Sequence, residues 1–281
     1  MIRILTDSTC DLTDELKKKY NIEVLPLYVT FNEESFKDGI DINTPKLYEE
    51  VKKRGILPKT AGITYTDFEQ YFKNAVDNGD EVIYTGISKQ MSSTFDCAYR
   101  AANDINPDKI KVVDSMNLST GISLLLLKAC KDRDNGLSLA QIEENMKKNT
   151  KLVLTQFAIE TMEYLHKGGR CSGIARFAAT LLRIKPIIQV REGRMTVQQK
   201  PIGKMKVALD RMLAQIKADK ERVDLDHIFV THSIADESAK YLIPELKKEF
   251  PNVDIIETMA GCVISSHCGE GCIGILYMIK E

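Results

Sequence analysis

The sequence predicts an α/β protein of two α/β domains, the first with a mainly parallel sheet covered by helices and the second with a mixed sheet. Three observations lead there. Through the first half, apolar β-like runs alternate with helical patterns, and that alternation favours a parallel sheet with helices on both faces. In the second half "REGRM" (residues 191–195) separates two β-like runs and reads as a hairpin, which a purely parallel sheet cannot contain. A chain of 281 residues with 43% hydrophobic content is long enough for one large domain or two ordinary ones with packed cores. No repeat or low-complexity linker separates the halves, so the boundary is placed near residue 150, giving an N-terminal domain of 1–150 and a C-terminal domain of 151–281.

The elements follow in order. "IRILT" (2–6) is a β-branched, apolar run, followed by a helical pattern over 13–20 with Asp14 and Glu15 suited to its first turn. "EVLPLYVTF" (23–31) reads as the next strand, with helices over 44–54 and 64–78 before "EVIYTGI" (81–87). A helix over 92–106, "KIKVVD" (109–114) and helices over 118–132 and 138–149 complete the half. The second series runs "LVLTQFAI" (152–159), a helix, "IKPIIQV" (184–190), the turn at Glu192 and Gly193, and "RMTVQQK" (194–200). Helices over 204–219 and 235–250 then alternate with "HIFVTH" (227–232) and "VDIIET" (253–258), and "CIGILYMI" (272–279) ends the series.

Charge and composition exclude several classes. With 39 basic and 40 acidic residues, a formal charge of −1, there is no electrostatic footprint for nucleic acid or anionic membrane. The longest apolar run, "GISLLLLKAC" (121–130), is too short for a transmembrane segment, and "MIRILTDS" reads as a strand rather than a signal peptide. A cytoplasmic location is expected. The seven cysteines form no regular framework and are expected as reduced thiols. Cys262, Cys268 and Cys272 surround His267 but lack the short paired spacing of a structural zinc site, so no metal is expected.

Several short motifs carry two readings each. Asp7 and Ser8 end a strand where α/β proteins place ligands, and they serve equally as a cap and a turn. "GEGCIG" (269–274) matches a dinucleotide fingerprint in letters yet precedes the last strand with no βαβ unit to follow, so its glycines are read as turn residues. "YLHKGGRCSG" (164–173) is either a helix ended by a C-cap glycine with a solvated Arg170, or a guanidinium presented to an anion or partner. In "GISKQMSSTFDCAYRAA" (86–102), Ser92, Ser93 and Thr94 stand in a row at a strand-to-helix junction. Neither a phosphate-binding loop nor a G-x-S-x-G elbow is present there. One of Ser92 and Ser93 can cap the helix, and the surplus hydroxyls suit a carboxylate or phosphate held over the helix N-terminus.

Taken together, "ILTDSTCDL", "GILPKTAGIT", "MSSTFDCAYRA", "VVDSMNLSTG", "YLHKGGR", "LLRIKPIIQVREGRM" and "SHCGEGCIG" occur in the order seen in the DegV family, which the chain resembles over essentially its whole length. The resemblance implies two α/β domains with a fatty acid buried in a tunnel and its carboxylate near the domain interface. It also implies presentation of that acid to a separate fatty acid kinase, which makes acyl phosphate for phospholipid synthesis in bacteria. The family's carboxylate-binding threonine in "PKTSQ" falls on Thr60 and the serine opening "SGT" falls on Ser92. The histidine of "HTGPG", near the carboxylate network, falls on His267, and the "GGR" arginine of the kinase contact falls on Arg170. Ala61 stands where the family usually has a second hydroxyl, Ser93 where it has Gly, and Glu270 where it has Pro. An arginine often found near residues 200–209 is replaced by Lys200, Lys204 and Lys206.

The resemblance therefore implies a non-enzymatic carrier whose ligand is a long-chain fatty acid, with Thr60, Ser92, Ser93 and His267 around its carboxylate, Arg170 toward a partner kinase and no cofactor. Burying about fourteen methylenes at ~0.8 kcal/mol each gives roughly 11 kcal/mol before ordering and association costs. Apolar burial would supply most of the affinity, and hydroxyl and N–H donors would replace the carboxylate's water. The competing expectation is an acyl hydrolase or acyltransferase with Ser92 as nucleophile and His267 as base.

Overall fold

Strand–helix alternation in the first half produces a parallel sheet. The computed structural model describes residues 1–172 and 184–280. The sheet is assembled from β1 (Ile2–Asp7), β2 (Ile22–Leu25), β6 (Glu81–Gly86) and β7 (Ile110–Asp114), in the order β2-β1-β6-β7 with every pair parallel. Successive residues of a strand face opposite sides. Ile4, Ile83 and Val113 accordingly meet Ile122 and Leu126 of α5 (Thr120–Asp134) and Ile142 of α6 (Leu139–Asn149). Leu5, Val82 and Tyr84 meet Phe68 and Phe72 of α3 (Tyr65–Asp77) and Ala98 of α4 (Thr94–Ile105). Capping boxes open α3 at Thr64 with Asp67 and α6 at Ser138 with Gln141. Thr13 caps α1 (Asp14–Tyr20), and Asn43 caps α2 (Thr44–Arg54).

The run 23–31 is two strands. Pro26 cannot donate to a ladder, and pairing stops there. After it, β3 (Tyr28–Phe31) joins β4 (Glu34–Lys37) and β5 (Lys59–Ala61) in a separate antiparallel sheet of order β4-β3-β5, which the sequence reading did not anticipate. β4 is too polar and β5 too short to carry an alternation signal.

The second sheet has the order β13-β12-β14-β8-β10-β11-β9. It comprises β8 (Val153–Ala158), β9 (Cys171–Ser172), β10 (Ile187–Arg191), β11 (Arg194–Gln199), β12 (Val223–Ser233), β13 (Asp254–Met259) and β14 (Cys272–Ile279). Pairings β12/β13 and β11/β9 are parallel and the others antiparallel, the mixed sheet expected. The hairpin between β10 and β11 turns at Glu192 and Gly193, with φ of 51° and 75°, the pair of positive angles that a two-residue turn matched to strand twist requires. One face of this sheet packs Ile228, Val230, Ile275 and Tyr277 on Leu209 and Met212 of α8 (Met205–Ala218) and Leu242 and Leu246 of α9 (Asp236–Glu249). The other face turns toward the first half, where Phe229 and Leu276 enter the core around Ile122.

The two remaining helices are short. α7 (Glu163–Gly168) ends on Gly169, and α10 (Cys262–Cys268), unanticipated because its seven residues, six small or β-branched and one His, show no helical period, precedes β14. No described helix is long and apolar enough to cross a membrane. Of the helical stretch expected between 159 and 184, residues 173–183 lie outside the described residues.

Asp7 shows what the strand end does. Its carboxylate is fully buried and accepts from Thr9 N, Thr9 Oγ1, Tyr84 OH and Ile87 N. Burial pushes its acidity down, raising the pKa against these donors. Ser8 accepts from Leu27 N, so both residues serve the fold. A methyl group at Gly86 would overlap Asp7 Oδ2 and the Tyr84 hydroxyl. Gly86→Ala is therefore expected to cost about 3 kcal/mol in urea unfolding, as a buried acceptor loses its partners. A change within ~0.5 kcal/mol, typical of surface sites, would show that this network does not hold the strand ends.

Candidate functional site

Where the inner face of the seven-stranded sheet meets the first half, packing leaves a cavity of about 280 Å³. The register explains its floor: Thr231, Gly274 and Phe157 lie side by side across β12, β14 and β8, and Gly274 contributes no side chain. Leu27, Ile87, Met91, Phe157, Leu165 and Leu276 make most of the wall apolar. Thr60, Ser92, Ser93, Arg170 and His267 all lie on that wall. Lys200, Lys204 and Lys206 do not; Lys206 is bound to Asp210 and Tyr241 on the far side of the sheet.

Thr60 is carried by β5, where it pairs with Val29 of β3. Its Oγ1 lies 3.0 Å from His267 Nε2. Ser92 ends a loop pinned at Ile87 by Asp7 and at Ser88 by the Asn117 carbonyl. Ser92 Oγ accepts from Thr94 N at 3.3 Å and lies 2.9 Å from Thr94 Oγ1. The turn of the β10–β11 hairpin props the same loop: Arg194 binds Gln90, and a side chain at Gly193 would come within 2.5 Å of Ser88 Oγ.

Of the two serines, one of which was expected to cap the helix, Ser92 does so and Ser93 does not. Ser93 occupies the N-cap position of α4 but makes no side-chain cap bond, and it is exposed. Its backbone is already helical, which turns its hydroxyl away from the amides that a β-region cap would reach. Ser92 satisfies the first amide instead. Thr94, the third hydroxyl of the row and one of those expected to face an anion, is instead wholly buried behind Ser92 and does not line the cavity. Gly62 leaves the room this pair needs, since a Cβ there would stand 2.5 Å from Thr94 Oγ1.

His267 sits near the end of α10. Burial, and then the nearby Arg170 cation, push its pKa down to about 4, so the ring is neutral at neutral pH. Its Nδ1 is buried without a hydrogen-bond partner among the described residues, and Gly168 presses against it so closely that a Cβ would overlap that nitrogen. Gly169, with φ of 67°, caps α7 as expected of the glycine pair. Arg170 is exposed, and its Nη1 donates to the Gly168 carbonyl at 2.6 Å.

The structure thus brings Thr60 to His267 and Ser92 to Thr94; the hydrogen bond that a Ser92 nucleophile and His267 base would share is not made among these groups. The glycines of 269–274 form a turn, with φ of 81° at Gly269 and 80° at Gly271, leading into β14. All seven cysteines are free. Among the described residues no group of three or more His, Cys, Asp or Glu could hold a metal ion.

A protein-family model described as uncharacterised protein, DegV family, matches residues 1–280. A DegV domain-containing protein of Clostridium perfringens is 31% identical over 277 residues, covering 99% of this chain and 98% of that protein. Among solved structures, fatty acid binding of a DegV family protein from Thermus thermophilus describes one with a TM-score of 0.92 at 27% identity, covering 99% of both chains. DegV, a fatty acid binding protein from Bacillus subtilis, gives 0.89 at 29% identity, again over 99% of each.

The neutral ring generates a prediction. Followed by NMR, the His267 ring should titrate near pH 4 and not near the ordinary value of about 6.5. Arg170→Ala should move that titration upward. A folded pKa below the unfolded one means that the neutral ring contributes stability above about pH 6.5 that is lost as the pH falls through 4. An ordinary titration would mean that the ring is hydrated.

Proposed function

This chain belongs to the DegV family, and from that premise we propose that it binds a long-chain fatty acid in the cavity, its carboxylate held by Thr60 and Ser92, and presents it to a separate fatty acid kinase. The observation that carries the reading is a largely apolar cavity with two hydroxyl residues on its wall, each backed by a second polar group. His267 stands behind Thr60 and Thr94 behind Ser92. With Nε2 protonated, His267 donates to Thr60 Oγ1 and frees the Thr60 O–H for an anion. Thr94 can do the same for Ser92. The fatty-acid binding named for relatives at 27% and 29% identity supports this reading.

The energetics fit an acyl chain. Each buried methylene contributes ~0.8 kcal/mol, and a carboxylate stripped of water needs such donors in return. The two lobes, residues 1–150 and 151–281, take the ligand between them, the first supplying Thr60 and the Ser92 loop, the second the sheet floor, His267 and Arg170. Ser93, exposed at the cavity edge, is a peripheral contact of the head group. Arg170 extends from the wall to solvent, where a planar guanidinium suits a carboxylate or phosphate on the kinase. The protein performs no covalent step itself; it acts as a cytoplasmic carrier.

Two measurements test this. Thr60→Val and Ser92→Ala should each weaken fatty-acid binding by ~1.5 to 3 kcal/mol, roughly ten- to a hundredfold, with smaller losses for the methyl ester. Equal losses for acid and ester would show that these residues only support the fold. Arg170→Ala should keep the lipid and slow acyl-phosphate formation by the cognate kinase, while Arg170→Lys restores part of the rate. Loss of the lipid, or undiminished phosphorylation, would remove the presenting role. Labelling of Ser92 by a fluorophosphonate would favour the hydrolase.

A further inference from the structure

The helix that carries His267 is held from the other half of the chain. α10 begins after Gly261, which has no side chain to cap the free amides. Those amides find the carboxyl groups of two aspartates remote in sequence. Gly261 N donates to Asp11 Oδ1 at 2.8 Å, Cys262 N to Asp38 Oδ1 at 2.7 Å and Val263 N to Asp38 Oδ2 at 3.3 Å. Asp11 and Asp38 are only 6% and 3% exposed, so a lost bond would be poorly compensated by solvent. The fit is close: a Cβ on Gly261 would stand 3.2 Å from both Asp38 oxygens and 3.3 Å from Asp11 Oδ1.

The clasp continues to the cavity wall. Ser119 Oγ donates to Asp11 Oδ2 at 2.5 Å, and Ser119 lines the cavity. Ser119 is the N-cap residue of α5, but it makes no cap bond and holds φ of 53° and ψ of −145°, a conformation that disfavours any residue with a side chain. Asp11 itself has φ of 54°. The carbonyl before the helix, Ala260 O, accepts from Thr44 Oγ1 at 2.5 Å, and Ser265 within it reaches Tyr48 through Ser233. Downstream of this attachment, Val263, Ile264, His267 and Cys268 of α10 all line the cavity.

We propose that Asp11 and Asp38 are positioning residues for the ligand site: by clamping the first amides of α10 they set the place of His267 against Thr60, and so the direction in which the Thr60 hydroxyl faces the ligand. The proposal rests on the fatty-acid reading of the cavity. A short helix with unmet amides has little intrinsic stability, so its register relative to β5 is decided by these anchors. A carboxylate matches two adjacent amides, whereas an amide of the same shape turns a donor toward one of them.

The test is Asp38→Asn, read by binding of palmitic acid against methyl palmitate and by the NMR titration of His267. The expected result is about a tenfold loss for the acid and less than about twofold for the ester, with the His267 titration displaced. Leu246→Ala, in the core on the outer face of the second sheet, controls for general destabilisation and should leave the acid-to-ester ratio unchanged. Asp38→Asn with the wild-type ratio and wild-type titration overturns the proposal. Should Asp38→Asn not fold, Gly261→Ala, which crowds the same three oxygens, is judged by the same criterion. Failure of the underlying reading looks different: wild-type protein that binds no palmitic acid, or an acid-to-ester ratio indifferent to Thr60→Val and Ser92→Ala, removes both.

Discussion

The seven-stranded sheet has two apolar faces, and its two long helices cover only one of them. α8 and α9 bury Ile228, Val230, Ile275 and Tyr277; among the described residues the opposite face is covered by the first half of the chain and, around Phe157 and Ile188, by Leu165 of α7 and Cys268 of α10. Phe229, Leu276 and Met278 are therefore packed with Ile4, Ile122 and Leu126, and the two halves share one core. A shared core cannot be filled everywhere by two independently wound layers. The cavity is the place where the match is incomplete, bounded by Phe157 and the side-chain-free Gly274 on one side and by Ile87, Met91 and Leu118 on the other.

Around that cavity, polar crosslinks set the geometry. Asp7, Asp11 and Asp38 are buried, and burial raises the pKa of each; for Asp11, also crowded by Asp38 and Asp7, it reaches about 8. Each carboxyl group accepts hydrogen bonds from a segment far away in the chain: 84–87 for Asp7, 119 and 261 for Asp11, 262–263 for Asp38. Losing one partner of such a buried group costs more than the bond contributes when made, because the remaining group stays desolvated. The loop with Ser92 and the helix with His267 are thereby fixed relative to β1 and its following turn.

Much of this was legible in the sequence, for identifiable reasons. Long periodic segments such as 44–54 match α2 residue for residue, and the hairpin announced itself through Glu192 and Gly193. Elements without a period were not legible: β5, which holds Thr60, has three residues, and α10 has seven. The site residues were reached through motif order. Local chemistry could not join Thr60 to His267 across 207 positions, nor reveal that Asp11 and Asp38 serve a helix more than 200 residues later. Thr94 was visible as a hydroxyl, but only burial separates its supporting position from that of the exposed Ser93.

The neutral state of His267 also bears on how the proposed head-group site responds to its surroundings. Thr60 and Ser92 offer dipoles, the His267 imidazole is uncharged, and the one Lys or Arg side chain on the wall among the described residues is the exposed Arg170. Dissolved ions screen separated, solvent-exposed charges over a Debye length of about 8 Å at physiological ionic strength, but they leave short buried hydrogen bonds almost untouched. In the proposed site, retention of a carboxylate inside the cavity and attraction of an anionic surface outside it would therefore be governed by different forces. Ionic strength would tune the outer encounter while the inner grip stayed constant.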